Sequence, residues 1–367
     1  MSSTDVYLPY SDINVSPFDD PRLLQLDDKI FLHELLGHKN DHDDHDGSYI
    51  PQGFILPQEI ELMVAETTAN TTYAHPKQKD WILKQRAGYG SHGNQLVSLA
   101  EAIEYTMPKD IIISTTPSFL CQRMVHPPLL INDRKFTLRV YVVYFMNDNH
   151  TTNGRCNNDD DINSDNKSVH PIPYLYISRI GLVKLASAPY HSDSDDTTSE
   201  NDDSSIHMTN SGRETSMLQY DLEFLRHEFE KNGWSYEELW AHICESVKQV
   251  MHAYQESSFD IKSINSESAH NNTNQQCHQH YQQLATLGIP KILGFDYMLD
   301  SKRKPWLLEV NRFPGLEARD TSDELVKRTV VQDAWSLASK RMRFTTPKSQ
   351  ATHLDLSQKS DIYLDVL

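Results

Sequence analysis

Residues Lys291–Pro314 read KILGFDYMLDSKRKPWLLEVNRFP, and this stretch decides the fold. Two apolar, alternating runs flank a polar, proline-marked turn, the pattern of a β-hairpin. In the first run Leu293, Phe295, Tyr297 and Leu299 share one face, and Gly294, Asp296 and Met298 share the other. In the second, Leu308 and Val310 are expected on one face and Leu307, Glu309 and Asn311 on the other, because strand side chains alternate. A loop over Ser301–Lys304 would pair Asp300 with Pro305 and set Asp296 opposite Glu309. Opposed carboxylates destabilise a ladder. Nothing in the hairpin offsets them, so a cation is the remedy these residues suggest. Asp296, Glu309 and Asn311 bring three oxygen-bearing side chains to one spot, a set that suits Mg²⁺ shared with a phosphate ligand. The alternative is an acidic face left in water, with Lys302, Arg303 and Lys304 for relief.

Working outward, the chain of 367 residues is long enough for two or three lobes around a large core. Its net charge is −18, but fourteen acids sit in three runs at Asp41–Asp46, Asp159–Asp165 and Asp193–Asp203, and without them the balance would be −4. A local basic groove is therefore compatible with an acidic whole. The polar start gives no sign of a signal peptide, and no apolar run is long enough to span a bilayer. Cys121, Cys156, Cys244 and Cys277 lack metal-type spacing and read as the reduced thiols of a cytoplasmic protein. The His/Asp alternation at His38–Asp46 could bind a metal in principle but reads rather as a solvated loop, because nothing fixes its geometry, and the glycosylation-type triplets at Asn149, Asn166 and Asn271 read as coincidence.

Pro57 opens a predicted helix through Ile60, Leu62, Met63 and Ala65. Trp81–Lys84 and Gln95–Ser98 are predicted strands around a Gly-rich loop, Gly88–Gly93, whose backbone N–H groups could lie over phosphates. Phe119–Val125 and Arg134–Tyr144 are further strands, the latter with Phe136, Leu138, Val140 and Val142 opposite Lys135, Thr137, Arg139 and Tyr141. Ile172–Ala186 is expected to be a hairpin turning near Ser178-Arg179. The stretches near 147–170, 191–206 and 257–283 are polar, and each reads as a surface insertion. Ser235-x-x-Glu238 caps a helix whose stripe is Leu239, Ile243, Val247, Val250 and Tyr254. Thr321-x-x-Glu324 caps another, with Val326, Val330, Ala334, Leu337 and Ala338 inward. Lys340, Arg341 and Arg343 at its end suit the helix dipole, or an acidic protein tail. The tail Thr345–Leu367 stays unassigned.

Gly-Phe-Asp-x-x-x-Asp at Gly294–Asp300, then Lys304-Pro-Trp-Leu-Leu-Glu-Val-Asn311 and Pro314, resembles the C-terminal signature of the tubulin tyrosine ligase-like family. Trp81–Lys84, Gln122-Arg123, Pro128–Ile131 leading into Arg134–Val142, Tyr174–Tyr176 with Gly181–Lys184, and His207–Asn210 follow the family's order, so the resemblance runs from Trp81 past Pro314. It implies an α+β, ATP-grasp fold of mixed and antiparallel sheets with flanking helices, the nucleotide lying between lobes. The implied division is a short N-terminal lobe over 1–75, a central lobe over 76–125, a C-terminal lobe over 126–345 and a tail. The chain departs from the family in a Gly loop without Arg or Lys between its glycines, in Thr137 where an acid is usual, and in Arg213 where a Lys is usual.

The resemblance also implies ATP and Mg²⁺ as cofactors and ligation of a free amino acid to a protein side chain or terminus through an acyl phosphate. Lys84, Gly90, His92, Gln122, Arg123, Lys135, Arg139, His207, Thr209 and Asn210 would bind nucleotide. Arg139, Lys184 and Glu309 would serve catalysis, and Asp296, Glu309 and Asn311 the metal. Tubulin or microtubule tails are the implied acceptor and glutamate the first choice of amino acid, with tyrosine, glycine or a non-tubulin acceptor as alternatives. A member that binds ATP or tubulin without chemistry is a further alternative. Neither nucleic acid nor membrane is an expected partner, and the expected place is the cytoplasm, at the cytoskeleton, a cilium or a basal body.

Overall fold

The computed structural model describes residues 23–37, 47–69, 79–86, 94–106, 119–145, 174–190, 218–265, 290–317, 321–345 and 364–366. The Gly-rich loop with Gly90 and His92, the His207–Asn210 element with Thr209, Arg213, the His38–Asp46 run and the three Asn triplets lie outside the described residues. So do the insertions, except Ser257–Asn265.

The chain opens with α1 (Leu24–Asp27) and α2 (Lys29–Gly37), followed by β1 (Gly53–Leu56), α3 (Ile60–Ala69), β2 (Trp81–Gln85), β3 (Gln95–Val97), α4 (Leu99–Thr106) and β4 (Phe119–Arg123). These strands form an antiparallel sheet of order β1-β4-β2-β3. β1, from the stretch expected to make a separate first lobe, thus hydrogen-bonds to β4. Phe54, Leu56, Met63, Trp81, Leu83, Val97 and Cys121 make the apolar core of this sheet.

The second part contains β5 (Phe136–Phe145), β6 (Tyr174–Leu185), β7 (Leu218–Asp221), α5 (Leu222–Lys231), α6 (Tyr236–Asn265), β8 (Pro290–Leu299), β9 (Pro305–Asn311), α7 (Thr321–Thr345) and β10 (Leu364–Val366). Its sheet runs β10-β6-β5-β8-β9, with β7 also on β6. One face packs Phe136, Leu138, Val140, Val142, Phe295 and Tyr297 against the α6 stripe Leu239, Ile243, Val247, Val250 and Tyr254. The other packs Tyr141, Val143, Phe145, Leu182 and Ile292 against Val326, Val330, Ala334 and Ala338 of α7. β5 is therefore covered on both faces, which is why alternation along it alone does not say which side meets water.

Four expectations need correction. Ile172–Ala186 is one continuous strand over Tyr174–Leu185, not a hairpin. Its register against β5 shifts between Val140 and Val142, so Ser178–Ile180 form a bulge, and Ile180 N donates to Ser178 Oγ at 3.1 Å. A hydroxyl that can bond locally and a bulge look alike in sequence. Residues 257–265 continue α6 and are not part of an insertion loop. In the central hairpin, Leu299 pairs with Pro305 and Tyr297 with Leu307, whereas Asp300 closes the turn by accepting from Lys302 N, Lys304 N and Trp306 Nε1. Finally, Leu307 joins Val310 in the core, because a bulge at Leu308 reverses the faces on the turn side. The same bulge restores the expected facing of Asp296 and Glu309.

Candidate active site

The face of the large sheet that α7 covers continues past Tyr141 as a patch of charge. Arg139 pairs with Asp296, Asp296 with Glu309, and Thr137 with Lys184, so period-two alternation puts all five on that face. Arg139 holds Asp296 in a two-pronged grip, with Nε donating to Oδ1 at 2.7 Å and Nη2 donating to Oδ2. Its remaining Nη1 donates to Pro314 O at 2.9 Å. Asp296 is 4% exposed. Burial disfavours its charge, yet the guanidinium outweighs burial and holds the carboxyl below its ordinary range. Without Arg139 the buried carboxylate would cost about 3–5 kcal/mol.

Glu309 goes the other way. Burial, then the charge of Asp296, raises its pKa, against the pull of Lys29, Lys84 and Arg139. Asn311 Nδ2 donates to Asp296 Oδ2 at 3.2 Å and to Glu309 Oε1 at 3.3 Å. The opposed acids thus do find relief outside the hairpin. A cation of β5 neutralises one, and burial favours a proton on the other. Two environments that push neighbouring carboxyls apart in pKa are a common mark of a reacting site.

The small sheet delivers the next cation. Lys84 of β2 is 5% exposed, donates to Gln122 Oε1 of β4 at 2.6 Å, and reaches Leu308 O of the large sheet at 3.3 Å. The bulge at Leu308 explains this bond, since the extra residue drops out of the ladder and its carbonyl turns free. Burial brings Lys84 down to about 8, with Glu309 opposing and Lys29 assisting. Lys184 is likewise brought to about 8 by burial and by Arg139, against the attraction of Asp296 and Glu309.

Lys84, Arg139, Lys184, Asp296, Glu309 and Asn311 are therefore brought together, with Gln122 behind Lys84. Lys135 stands apart. It is buried, its Nζ lies 4.3 Å over the Tyr190 ring, and burial takes it to about 8. Arg123 lies over Trp81 and donates to Gln52 Oε1. The backbone N–H groups of Arg123 and Met124 are spent on Gln52 O and Asp80 O, so neither is poised to meet an adenine edge.

Sequence reasoning missed Lys29 on α2, whose charge acts on both Lys84 and Glu309. The signal was local. Asp28 accepts from Ile30 N and Phe31 N, an N-cap followed by apolar residues at helical spacing. It also missed the pair formed by Asp323 and Lys327, which lies close enough to Lys184 for Lys327 to depress it. A cavity of about 220 Å³ lined by Leu129, Ile131, Phe229 and Trp234 contains none of these residues.

The donor set suits Mg²⁺ in its chemistry, being all oxygen and on one face, and burial with the charge of Asp296 outweighs the cations around Glu309, which a metal ion would reverse. Asp296 would have to share its oxygens with Arg139, and Asn311 would have to turn its amide. The set contains only two carboxylates, and among the described residues no point gathers three His, Cys, Asp or Glu side chains. No helix among them is long and apolar enough to cross a membrane.

Comparison with known proteins gives the family. The tubulin monoglutamylase TTLL4 of Mus musculus is 25% identical over 310 residues, 79% of this chain and 20% of that protein. The tubulin polyglutamylase TTLL7 of Xenopus tropicalis is 24% identical over 318 residues, 81% and 28% of the two chains. The probable tubulin polyglutamylase ttll-9 of Caenorhabditis elegans is 23% identical over 293 residues, 77% and 56%. This chain thus spans between a fifth and about half of the length of these relatives. The profile of the tubulin-tyrosine ligase family matches residues 18–148 and 168–350, and thereby takes in every strand but β10 and every charged residue of the cluster. The chain belongs to the tubulin-tyrosine ligase family, with the α+β, ATP-grasp-like fold that membership implies.

Proposed function

We propose that the chain is an ATP-dependent amide ligase that adds glutamate to the acidic tails of tubulin. The observation that carries this reading is the meeting of Lys84, Arg139 and Lys184 with Asp296 and Glu309 between two sheets, in a family whose matched relatives are named as glutamylases. A carboxylate does not condense with an amine unaided. In the proposed reaction an acceptor carboxylate oxygen attacks the γ-phosphorus of ATP and ADP departs, leaving an acyl phosphate. The amine of free glutamate then attacks the acyl carbon, the C–N bond forms, the C–O bond to phosphate breaks, and the amine loses a proton to solvent.

Phosphoryl transfer needs alignment and charge neutralisation more than a strong base. Lys84 and Lys184 are held near pH 8 by burial, and an approaching phosphate would restore their charge at the point where it is wanted. Arg139 is locked by Asp296 and Pro314, so it offers fixed positive charge without reorganising. Asp296, Glu309 and Asn311 would hold Mg²⁺, which when bound would neutralise phosphate charge. By the family resemblance alone, Lys135, Gln122, His207, Thr209 and Asn210 would add nucleotide contacts and Gly90 and His92 would serve the phosphates, although Lys135 stands away from the charged cluster over Tyr190.

A second reading, an ATP- or tubulin-binding member without ligation, is favoured by one feature. Both oxygens of Asp296 are already engaged by Arg139. Incubation of the full chain with ATP, Mg²⁺, labelled glutamate and microtubules, read by mass spectrometry of tubulin tails, separates the readings. Label on the tails supports the ligase. Nucleotide binding with no label supports the second reading, and label only on another acceptor moves the activity away from tubulin.

A further inference from the structure

Between the acid strand β9 and helix α7 the chain crosses the site as a strap, Arg312–Glu317. At its start Arg312 N donates to Asp27 Oδ1 at 3.4 Å, and two further bonds tie it to the site and to α7. Arg139 Nη1 donates to Pro314 O at 2.9 Å. Lys327 Nζ donates to Glu317 O at 2.6 Å and to Asp323 Oδ2 at 2.6 Å. Beneath the strap lies Gly294, directly opposite Asn311 in the ladder. A Cβ there would stand 2.8 Å from Pro314 Cβ and 3.5 Å from Arg139 Cδ, so strap, glycine and arginine stem are in contact. The Lys327–Asp323 pair is itself nearly sealed, with side chains 9% and 1% exposed. A buried ion pair in the first turns of a helix is poor value for stability alone, since desolvation offsets most of its attraction. Its second bond, to a backbone oxygen of the strap, gives it another role.

We infer that Lys327 is a positioning residue, holding the strap so that Pro314 keeps the third prong of Arg139 and thereby fixes the guanidinium on Asp296. Lys327 touches no reacting atom. The Lys327–Glu317 bond sets where the strap lies, the strap sets Pro314 O, and Pro314 O sets the tilt of Arg139. Misplacing a catalytic group by a fraction of an ångström to an ångström costs roughly tenfold to a hundredfold in rate. This inference rests on the ligase reading for its effect on turnover, but the strap can be judged without it.

The test uses the full chain and the variants Lys327→Met, Lys327→Arg and Asp323→Asn. The expected result for Lys327→Met is a fall in kcat of roughly tenfold or more, with KM for ATP within about twofold. Backbone hydrogen exchange should quicken over 312–317 while residues 326–338 of α7 stay protected. Lys327→Arg should recover most of both effects, and Asp323→Asn, which keeps the bond to the strap, should retain most of the turnover. Unchanged kcat, or exchange that quickens along all of α7, would overturn the positioning role. If Lys327→Met does not fold, a Lys327→Arg variant that folds yet exchanges freely over 312–317 has the same force. If the unaltered chain shows no ligation on any acceptor, the ligase reading fails, and exchange over 312–317 against α7 decides the strap by itself.

Discussion

Glu309 carries the sharpest expectation at the scale of single residues. Its carboxyl is driven toward the neutral form by burial and by Asp296, so an amide of the same shape resembles the state it already occupies. Glu309→Gln is expected to leave stability within about 1 kcal/mol and to abolish ligation, because the amide cannot gain the charge that a metal-bound nucleotide would call up. Paired thermal melts and turnover measurements check both halves. The lysines give the pH dependence. Lys84, Lys135 and Lys184 stand at about 8 in the fold against 10.5 when unfolded. Between these values the unfolded chain binds more protons, so stability should rise with pH from about 8 upward. From about 10 the rise should end, because burial keeps Tyr141, Tyr236 and Tyr297 protonated in the fold beyond the value of 10.0 at which they would otherwise ionise. Urea melts taken across that window read the slope.

Among the elements, β6 and the β8–β9 hairpin show what could be read from the residues and what could not. The strand Arg134–Tyr144, the α6 stripe and the Asp296–Glu309 facing were legible, because period and capping are local. The bulges were not. A one-residue slip in β9 and the offset at Ser178–Ile180 are settled by what lies across the sheet, namely Tyr49 O accepting from Leu307 N at 2.6 Å and the long partner β5. The site was legible in its residue types and opaque in its pairing. The remedy for two opposed acids sits on a strand more than 150 positions earlier, and no spacing rule reaches that far. Gly181 tests the β6 geometry. An added Cβ would lie 2.4 Å from Arg139 O and 2.9 Å from Leu222 Cδ1, and a backbone oxygen in a central ladder has nowhere to go. Gly181→Ala should cost about 1–3 kcal/mol, measured by denaturant unfolding, and should also disturb Arg139.

For the whole molecule, the net charge of −18 offers no attraction toward the proposed acidic acceptor, so a local basic patch or a partner must supply that affinity. ATP with Mg²⁺ at about a hundred times its dissociation constant should stabilise the chain by about 2.7 kcal/mol. That gain should vanish in Lys84→Met, and a thermal-shift titration compares the two proteins directly. Lys84 is also where the two sheets are stitched, through Leu308 O. An ammonium has three hydrogens to give, and one is already lent to a carbonyl on the opposite side of the seam. A triphosphate arriving there would bid for the same group. Occupancy of that site would then be felt as slack or tension between the two sheets, and small-angle scattering with and without nucleotide would record it as a change in the radius of gyration.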